Sequence, residues 1–370
     1  MYIEFNGKKN IADILKDDLP NNASFSKLNR DTNKLISGDN FQAMKLLLKS
    51  GYKNKVDLIY IDPPFATNTI FRIDSNRSST ISMSSMGEIA YSDTILGDDF
   101  LAFLRDRLVV ARELLSDSGS IYLHIDYKIG HYVKLVMDEI FGINNFRNDI
   151  TRIKCNPKNF HRKAYGNIKD LILFYSKSSN PIWNNPTIPY TREEVEKLYP
   201  KIDEKGRHYT TLPLHAPGET KSGKTANPFK GILPPKGRHW RCSPEELVEL
   251  DLQGLIEWSK TNNPRRIIYA DEKTGKKIQD IWEYKDPQYP IYPTEKNLDL
   301  LKQIIRISSN PKSLVLDFFC GSGTTLVASE ELGRRWIGID QSSAAISIAH
   351  KRLSDLSNLY SQPIEIIKLK

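Results

Sequence analysis

Two short segments of this chain bring together residue types suited to chemistry. Asp62-Pro63-Pro64-Phe65 follows the apolar run 56–61, and Asp317-Phe318-Phe319-Cys320-Gly321-Ser322-Gly323 follows another at 313–316. A strand that stops at Asp-Pro-Pro-aromatic offers a carboxylate acceptor and a flat ring for stacking. It also offers a rigid turn whose proline carbonyls meet no competing local N–H. That set suits an exocyclic amino group on a planar base. The second segment reads as a strand running into a glycine turn and a helix, the geometry that cradles an adenosine-containing ligand. The pair points to chemistry on a nucleobase.

The glycine turn lacks the third glycine of G-x-G-x-x-G, because Leu326 stands there. Asp340, at the end of the next strand, adds an acceptor for ribose hydroxyls. The plainer alternative is a tight strand–helix turn, with Asp340 capping the last helix. The turn holds no Lys or Arg and begins at a carboxylate, which disfavours a pyrophosphate; no G-x-x-x-x-G-K-[ST] occurs, so a P-loop is excluded. A cation with a ribose fits better, and the sulfonium of S-adenosylmethionine suits Asp317. Asp39, also at a strand end, reads equally as a partner for an adenine amino group or as the cap of the helix at Asn40. The plainer reading of Asp62 to Phe65 is a strand-end turn with Phe65 in the core.

These residues need a scaffold. Periodicity predicts strands at 35–39, 56–61, 120–125, 150–154 and 171–175, the last two as an antiparallel hairpin. Helices are expected at 40–48, 99–115 (with Gly119 marking the exit) and 128–141. Residues 66–93, rich in Ser, Thr, Asn and Met, read as a long loop without structure. From 183 to 290 the alternation breaks, leaving one clear helix at 244–253. It resumes with helix 295–308, strand 313–317, helix 324–332, strand 335–340 and a final helix after Ser342. The sheet is thus split by an insertion, five strands before it and two after. For one site to form, both halves must share one sheet, with the ligand at its carboxyl edge.

Composition bounds the rest. With 370 residues, 39% hydrophobic and 26% charged, the chain can form one large domain or two. No apolar run is long enough to span a bilayer, and no signal peptide is expected at the N-terminus. Cys155, Cys242 and Cys320 lie far apart without a nearby histidine pair, so neither a disulfide framework nor a metal site is expected; a reducing cytoplasm is the compartment. Net charge is +8, and residues 151–290 hold 25 Lys and Arg against 17 Asp and Glu, which is the whole excess. Four of the five tryptophans, Trp183, Trp240, Trp258 and Trp282, lie there too. Basic residues interleaved with aromatics suit a phosphate-tracking surface; a solvated basic face is the alternative.

The series Leu35 to Asn40, Asp62 to Phe65, Tyr292-Pro293-Thr294-Glu295-Lys296-Asn297 and Asp317 to Thr325 resembles the motif order of the β-class DNA amino-methyltransferases. The resemblance covers most of the chain outside 183–290. It implies an α/β fold, a circularly permuted Rossmann-like methyltransferase sheet with helices on both faces and an inserted target-recognition region. The halves would be 1–182 (catalytic) and 291–370 (cofactor-binding), with 183–290 between them. Asp at position 62 resembles the adenine-N6 type, whereas Ser-Pro-Pro marks cytosine-N4 enzymes. The resemblance implies that Asp62, Pro63, Pro64 and Phe65 engage the base. It further implies that Asp39, Thr294, Lys296, Asp317, Phe318, Phe319, Cys320, Gly321, Ser322, Gly323, Thr324 and Asp340 line the S-adenosylmethionine pocket. Asn297 stands where the family commonly has proline, and the polar stretch after Phe65 is longer than in many members.

On this reading Asp62 and the Pro63 carbonyl accept both N–H groups of the adenine amine, drawing the nitrogen toward sp³ geometry. The base must leave the duplex, with Phe65 stacking on it. Lys221, Lys224, Lys236, Arg238, Arg241, Arg265 and Arg266 are the candidates for DNA contacts. Double-stranded DNA is the expected partner, with room for a homodimer and a companion restriction endonuclease. Competing readings are a cytosine-N4 enzyme, an RNA adenine methyltransferase, a catalytically silent DNA-binding subunit and an NAD-dependent oxidoreductase.

Overall fold

The structure, a computed structural model, describes residues 3–16, 32–64, 69–74, 77–79, 88–93, 97–157, 163–220, 222–288, 290, 295–356 and 363–369, with backbone alone over 69–93. It divides into two compact units, Met1–Asn185 with Gln279–Lys370, and Pro186–Ile278.

The first unit is built on a nine-stranded sheet. Its strands in chain order are β1 (Asn33–Ser37), β2 (Val56–Ile61), β3 (Leu115–Ile125), β4 (Phe146–Ile153), β5 (Lys169–Ser176), β6 (Ile281–Glu283), β7 (Leu314–Asp317), β8 (Arg335–Asp340) and β9 (Ile364–Lys368). Across the sheet they run β6-β4-β5-β3-β2-β7-β8-β1-β9. From β3 to β9 every pairing is parallel, whereas β5 is antiparallel to both β3 and β4. Two strands were not legible as such: β6, which pairs with β4, and β9, which closes the far edge on β1. Both are short or exposed, so neither has the continuous apolar run of a strand buried on two faces.

Helices α1 (Asn40–Leu47), α2 (Gly97–Leu114) and α3 (Gly130–Phe141) share one core with the sheet. Their Met44, Leu104, Leu108, Val110, Val136 and Met137 pack with Ile36, Ile59, Ile61, Leu123, Leu316 and Ile339. Each such side chain contributes about 1.5–3 kcal/mol when fully buried. Helices α4 (Leu298–Ser308), α5 (Thr324–Glu331) and α6 (Ser343–Leu356) form a second layer: α4 packs on β2, α5 on β7 and β8, and α6 on β8 and β1. The alternation along β2 follows this division, with Ile59 and Ile61 in the first core and buried Leu58 and Tyr60 pointing away from it.

Several sequence expectations change. Gly119 lies inside β3, not at a helix exit, because α2 passes directly into the strand. A Cβ there would meet the Val56 carbonyl oxygen at 2.9 Å, beside the register shift that joins β2 to β3. Within the polar stretch 66–93, strands Thr69–Asp74, Arg77–Ser79 and Glu88–Asp93 form a separate three-stranded sheet. Main-chain pairing builds it without the apolar alternation that sequence reading relies on. Helix α4 starts at Leu298 rather than 295, because Asn297 caps it by accepting from the Asp299 and Leu300 amides at 2.9 and 3.2 Å. That cap is what asparagine supplies in place of proline. Helix α3 likewise starts at Gly130 rather than 128.

The second unit closes its own small core of Leu214, Phe229, Trp240 and Leu247, with Trp258 packed against it. Its four-stranded sheet runs Lys201–Ile202, His208–Pro213, Pro264–Tyr269, Ile256–Trp258. The tryptophans are therefore mainly structural. Trp240 is fully buried and Trp258 stacks on Phe229, while Trp282 is buried in the first unit beside Arg152. Trp183, also in the first unit, is the exposed one, stacked on Phe174.

Space between β8 and α5 is tight. Gly338 lies under Leu326, and a Cβ would come within 2.4 Å of its Cδ1. Gly338→Ala is expected to cost about 1–3 kcal/mol by overpacking. Urea denaturation will measure this, and adding Leu326→Ala should recover part of the loss.

Candidate active site

The strand order places four carboxylates in line. β2, β7, β8 and β1 are consecutive neighbours, and their carboxyl ends lead to Asp62, Asp317, Asp340 and Asp39. The register Val315↔Leu58, Leu316↔Ile59 brings Asp317 level with Tyr60, two residues before Asp62, and Ser37↔Asp340 sets Asp340 two residues before Asp39. The two motifs, distant in sequence, are adjacent in space.

Asp62 is mostly buried, as is Pro63 after it. Its Oδ2 pairs with Lys296 Nζ at 2.5 Å, and its Oδ1 is buried without a hydrogen-bond partner among the described residues. Phe65 and Thr294 lie outside the described residues.

At the glycine turn, Asp317 accepts from the Phe319 amide at 3.0 Å. Burial pushes the Asp317 carboxyl up to about 7, aided by the charges of Asp62 and Asp340 and opposed by hydrogen bonds from Thr325 and Phe319. Gly321 and Gly323 have φ of +50° and +80°, a region that favours glycine. Gly323 also approaches α6 so closely that a Cβ would meet that of Ala349 at 2.9 Å. Asp340 accepts from the Gly321 and Ser342 amides at 2.9 and 2.8 Å, so it braces the turn with both oxygens. Phe318 is buried and Phe319 half-buried, tilted against it at 5.2 Å. Burial pushes the Cys320 thiol up, which makes it inert as a nucleophile.

The missing third glycine is explained here. Leu326 finds its room over Gly338 of the neighbouring strand, so the glycine has moved from helix to sheet. Arg352 of α6, which sequence reading missed, clamps the turn: its Nη1 donates to the Ser322 carbonyl and hydroxyl at 3.1 Å and to Thr324 Oγ1 at 3.3 Å. Its Nη2 pairs with Glu295 at 2.9 Å.

Asp39 caps α1, accepting from the Gln42 amide at 2.9 Å, and pairs with Arg107 at 3.0 Å. The capping reading is thus the one the geometry realises. Arg107 Nε donates to Asn40 Oδ1 at 2.5 Å, and Asn40 Nδ2 donates to the Phe318 carbonyl at 2.7 Å. The guanidinium lies 3.5 Å from the Phe103 ring centroid, a cation–π contact. Burial lowers its pKa to about 10, and it stays charged at neutral pH. The Asp39 loop and the glycine turn are joined through Asn40, which Arg107 holds in place.

Beneath Asp62 runs a buried polar chain, also missed. The Tyr60 hydroxyl lies 2.9 Å from His124 Nδ1, and His124 Nε2 lies 3.2 Å from Asp170. Lys154 donates to the other Asp170 oxygen at 2.6 Å. Burial lowers the His124 pKa, so the neutral ring donates from Nε2 and accepts from Tyr60. Burial opposes the Asp170 charge, but His124 and Lys154 hold the carboxyl below its ordinary range. Such residues alternate on a strand with apolar ones, and a lone His or Tyr there gives no signal of its partner.

In the second unit, Lys224, Lys236, Arg238, Arg241 and Arg266 are exposed, whereas Lys221 lies outside the described residues. Arg265 is half-buried and donates to the Thr211 hydroxyl and carbonyl at 2.8 and 2.7 Å, which gives it a structural task. Arg238 donates to His215 Nδ1 at 3.1 Å. Burial lowers the His215 pKa, and Arg238, Arg241 and Arg265 lower it further. Among the described residues no group of His, Cys, Asp and Glu is arranged to hold a metal, and no helix is long and apolar enough to cross a membrane.

A family model described as DNA methylase matches residues 56–351. The chain is 43% identical to the Type II methyltransferase M.EcaI of Enterobacter cloacae over 87% of its own length and 69% of that relative. It is 28% identical to the StyLTI Mod subunit, a Type III restriction-modification enzyme of Salmonella typhimurium, over 93% of its length and 58% of the relative. Identity to the Type II methyltransferase M.KpnI of Klebsiella pneumoniae is 26%, over 85% of this chain and 80% of that one.

The Asp317 shift has a measurable sign. A carboxyl raised from 3.8 to about 7 binds its proton more tightly folded than unfolded, so stability falls as pH rises through that window and levels off above it. Urea unfolding between pH 4 and 8 should show Asp317→Asn losing this slope, worth up to about 4 kcal/mol by linkage.

Proposed function

This chain belongs to the DNA methylase family, and we propose that it transfers a methyl group from S-adenosylmethionine to the N6 amino group of adenine in double-stranded DNA. The observation that carries this reading is Asp62 Oδ1, a buried acceptor without a partner among the described residues, at the end of the strand beside the glycine turn. An acceptor left unsatisfied costs about 1–3 kcal/mol, and a base amino group would satisfy it. Pro63 has no N–H, so its carbonyl is a second acceptor set by a rigid turn.

S-adenosylmethionine, when bound, supplies an electrophilic methyl group. The residues present suit it. Asp317 is a buried carboxylate whose charged form a sulfonium would favour, and two left-handed glycines leave the turn open to close approach. Asp340 and Arg352 hold that turn in shape, and Asp39, Thr294 and Lys296 complete the pocket in this reading. Asp62 and the Pro63 carbonyl then accept the two amino hydrogens, pull the nitrogen out of conjugation and stabilise the positive charge that develops on it. Phe65 stacks on the flipped base. Aspartate rather than serine at 62 favours adenine over cytosine.

The unit Pro186–Ile278 is proposed as the target-recognition region, with Lys224, Lys236, Arg238, Arg241 and Arg266 meeting phosphates or base edges. The Salmonella relative is named as a restriction-modification subunit, which supports a companion endonuclease here. A homodimer and a cytoplasmic setting belong to the same reading.

Incubation with labelled S-adenosylmethionine and DNA, RNA or neither tests the proposal; label should enter DNA as N6-methyladenine. Asp62→Ala should lower transfer by at least about 10²-fold while cofactor affinity changes little. Equal loss of both would remove Asp62 from its assigned role.

A further inference from the structure

The cation on Asp62 is at odds with the chemistry proposed for it. Positive charge develops on the amino nitrogen, and an ammonium on the same carboxylate opposes it. It also occupies Oδ2, leaving Oδ1 as the open oxygen. The backbone on either side of Lys296 is pinned. Glu295 is held by Arg352, which also grips Ser322 and Thr324 of the glycine turn. Asn297 caps α4 and donates to the Lys285 carbonyl at 3.0 Å. The residue between two such anchors has a flexible four-carbon stem, so its charged head can change partner without moving the chain.

We propose that Lys296 is a displaceable latch: it occupies Asp62 before ligand arrives and is drawn off by the carboxylate of the cofactor's amino-acid end. This rests on the proposed function and deepens it. Lys296 follows Glu295, which Arg352 ties to Ser322 and Thr324 of the glycine turn, so its ammonium is held near the turn proposed to bind the cofactor. Asp62 thereby regains its second oxygen and its uncompensated charge for the base only once cofactor is loaded. The latch makes binding ordered, cofactor before base.

The test uses the full chain, with a duplex carrying 2-aminopurine beside the adenine identified by methylation sequencing, so that the target keeps its N6 amino group and its extrusion unstacks the probe. S-adenosylhomocysteine, which keeps the α-carboxylate, should raise 2-aminopurine fluorescence severalfold over protein and DNA alone; methylthioadenosine, which lacks it, should not. In Lys296→Met the rise should occur without either ligand, and S-adenosylhomocysteine should bind about tenfold more weakly while methylthioadenosine binds as before. Lys296→Arg should keep the ligand requirement. Base extrusion by the native protein without ligand, or equal response to both ligands, overturns the latch even if a variant fails to fold. Native protein that methylates DNA but gives that result leaves the proposed function standing. Native protein that transfers no methyl group to DNA overturns the function, and the latch with it.

Discussion

The parallel pairing of β2 with β7 is the constraint on which everything else depends. It joins a strand at 56–61 to one at 314–317, so a loop of more than half the chain must close before the site exists. Loop closure costs entropy that grows only slowly with length, which is why so large an insertion is tolerated. The ladder between them is short, pairing Val315 with Leu58 and Leu316 with Ile59, and it is bolstered by side chains. Asp57 of β2 accepts from the Leu314 amide at 3.1 Å, and α4 packs on β2. Once that seam forms, strand directionality alone brings four carboxylates to one edge.

Placing acids side by side in a low-dielectric edge is costly, and the fold answers each differently. Asp39 has an arginine, Asp62 a lysine, and Asp340 two backbone amides. Burial raises the carboxyls of both Asp317 and Asp340, the first to about 7, against the local donors that hold each of them. Buried charge also specifies geometry, since Arg107 satisfies Asp39, Asn40 and a carbonyl of its own helix at once.

Much of this was legible in the residues. β2, β7 and β8 are apolar runs that lead to carboxylates, and the motif aspartates sit at strand ends where sequence reading put them. The misses share a cause. β6 is three residues long and exposed on alternate positions, so it has no periodicity to detect. The strands within 69–93 pair through their main chain, and their polar composition reads as loop. Arg107, Arg352 and the Tyr60–His124–Asp170 chain are defined by partners far away in sequence, which no local pattern encodes. The tryptophans misled in the opposite direction: interleaving with basic residues suggested a surface, whereas Trp240 is the centre of a small core.

That small core has an evolutionary consequence. A segment that encloses its own hydrophobic centre can accumulate substitutions, or be exchanged for another of different sequence, without repacking the sheet that holds the four acids. The first unit fastens the chain on both sides of it, through the Asn184 side chain on the Arg306 and Ser309 carbonyls and through the β6–β4 ladder. Because each unit has a core of its own, a lineage can vary the smaller core while the residues that set the four acids stay the same.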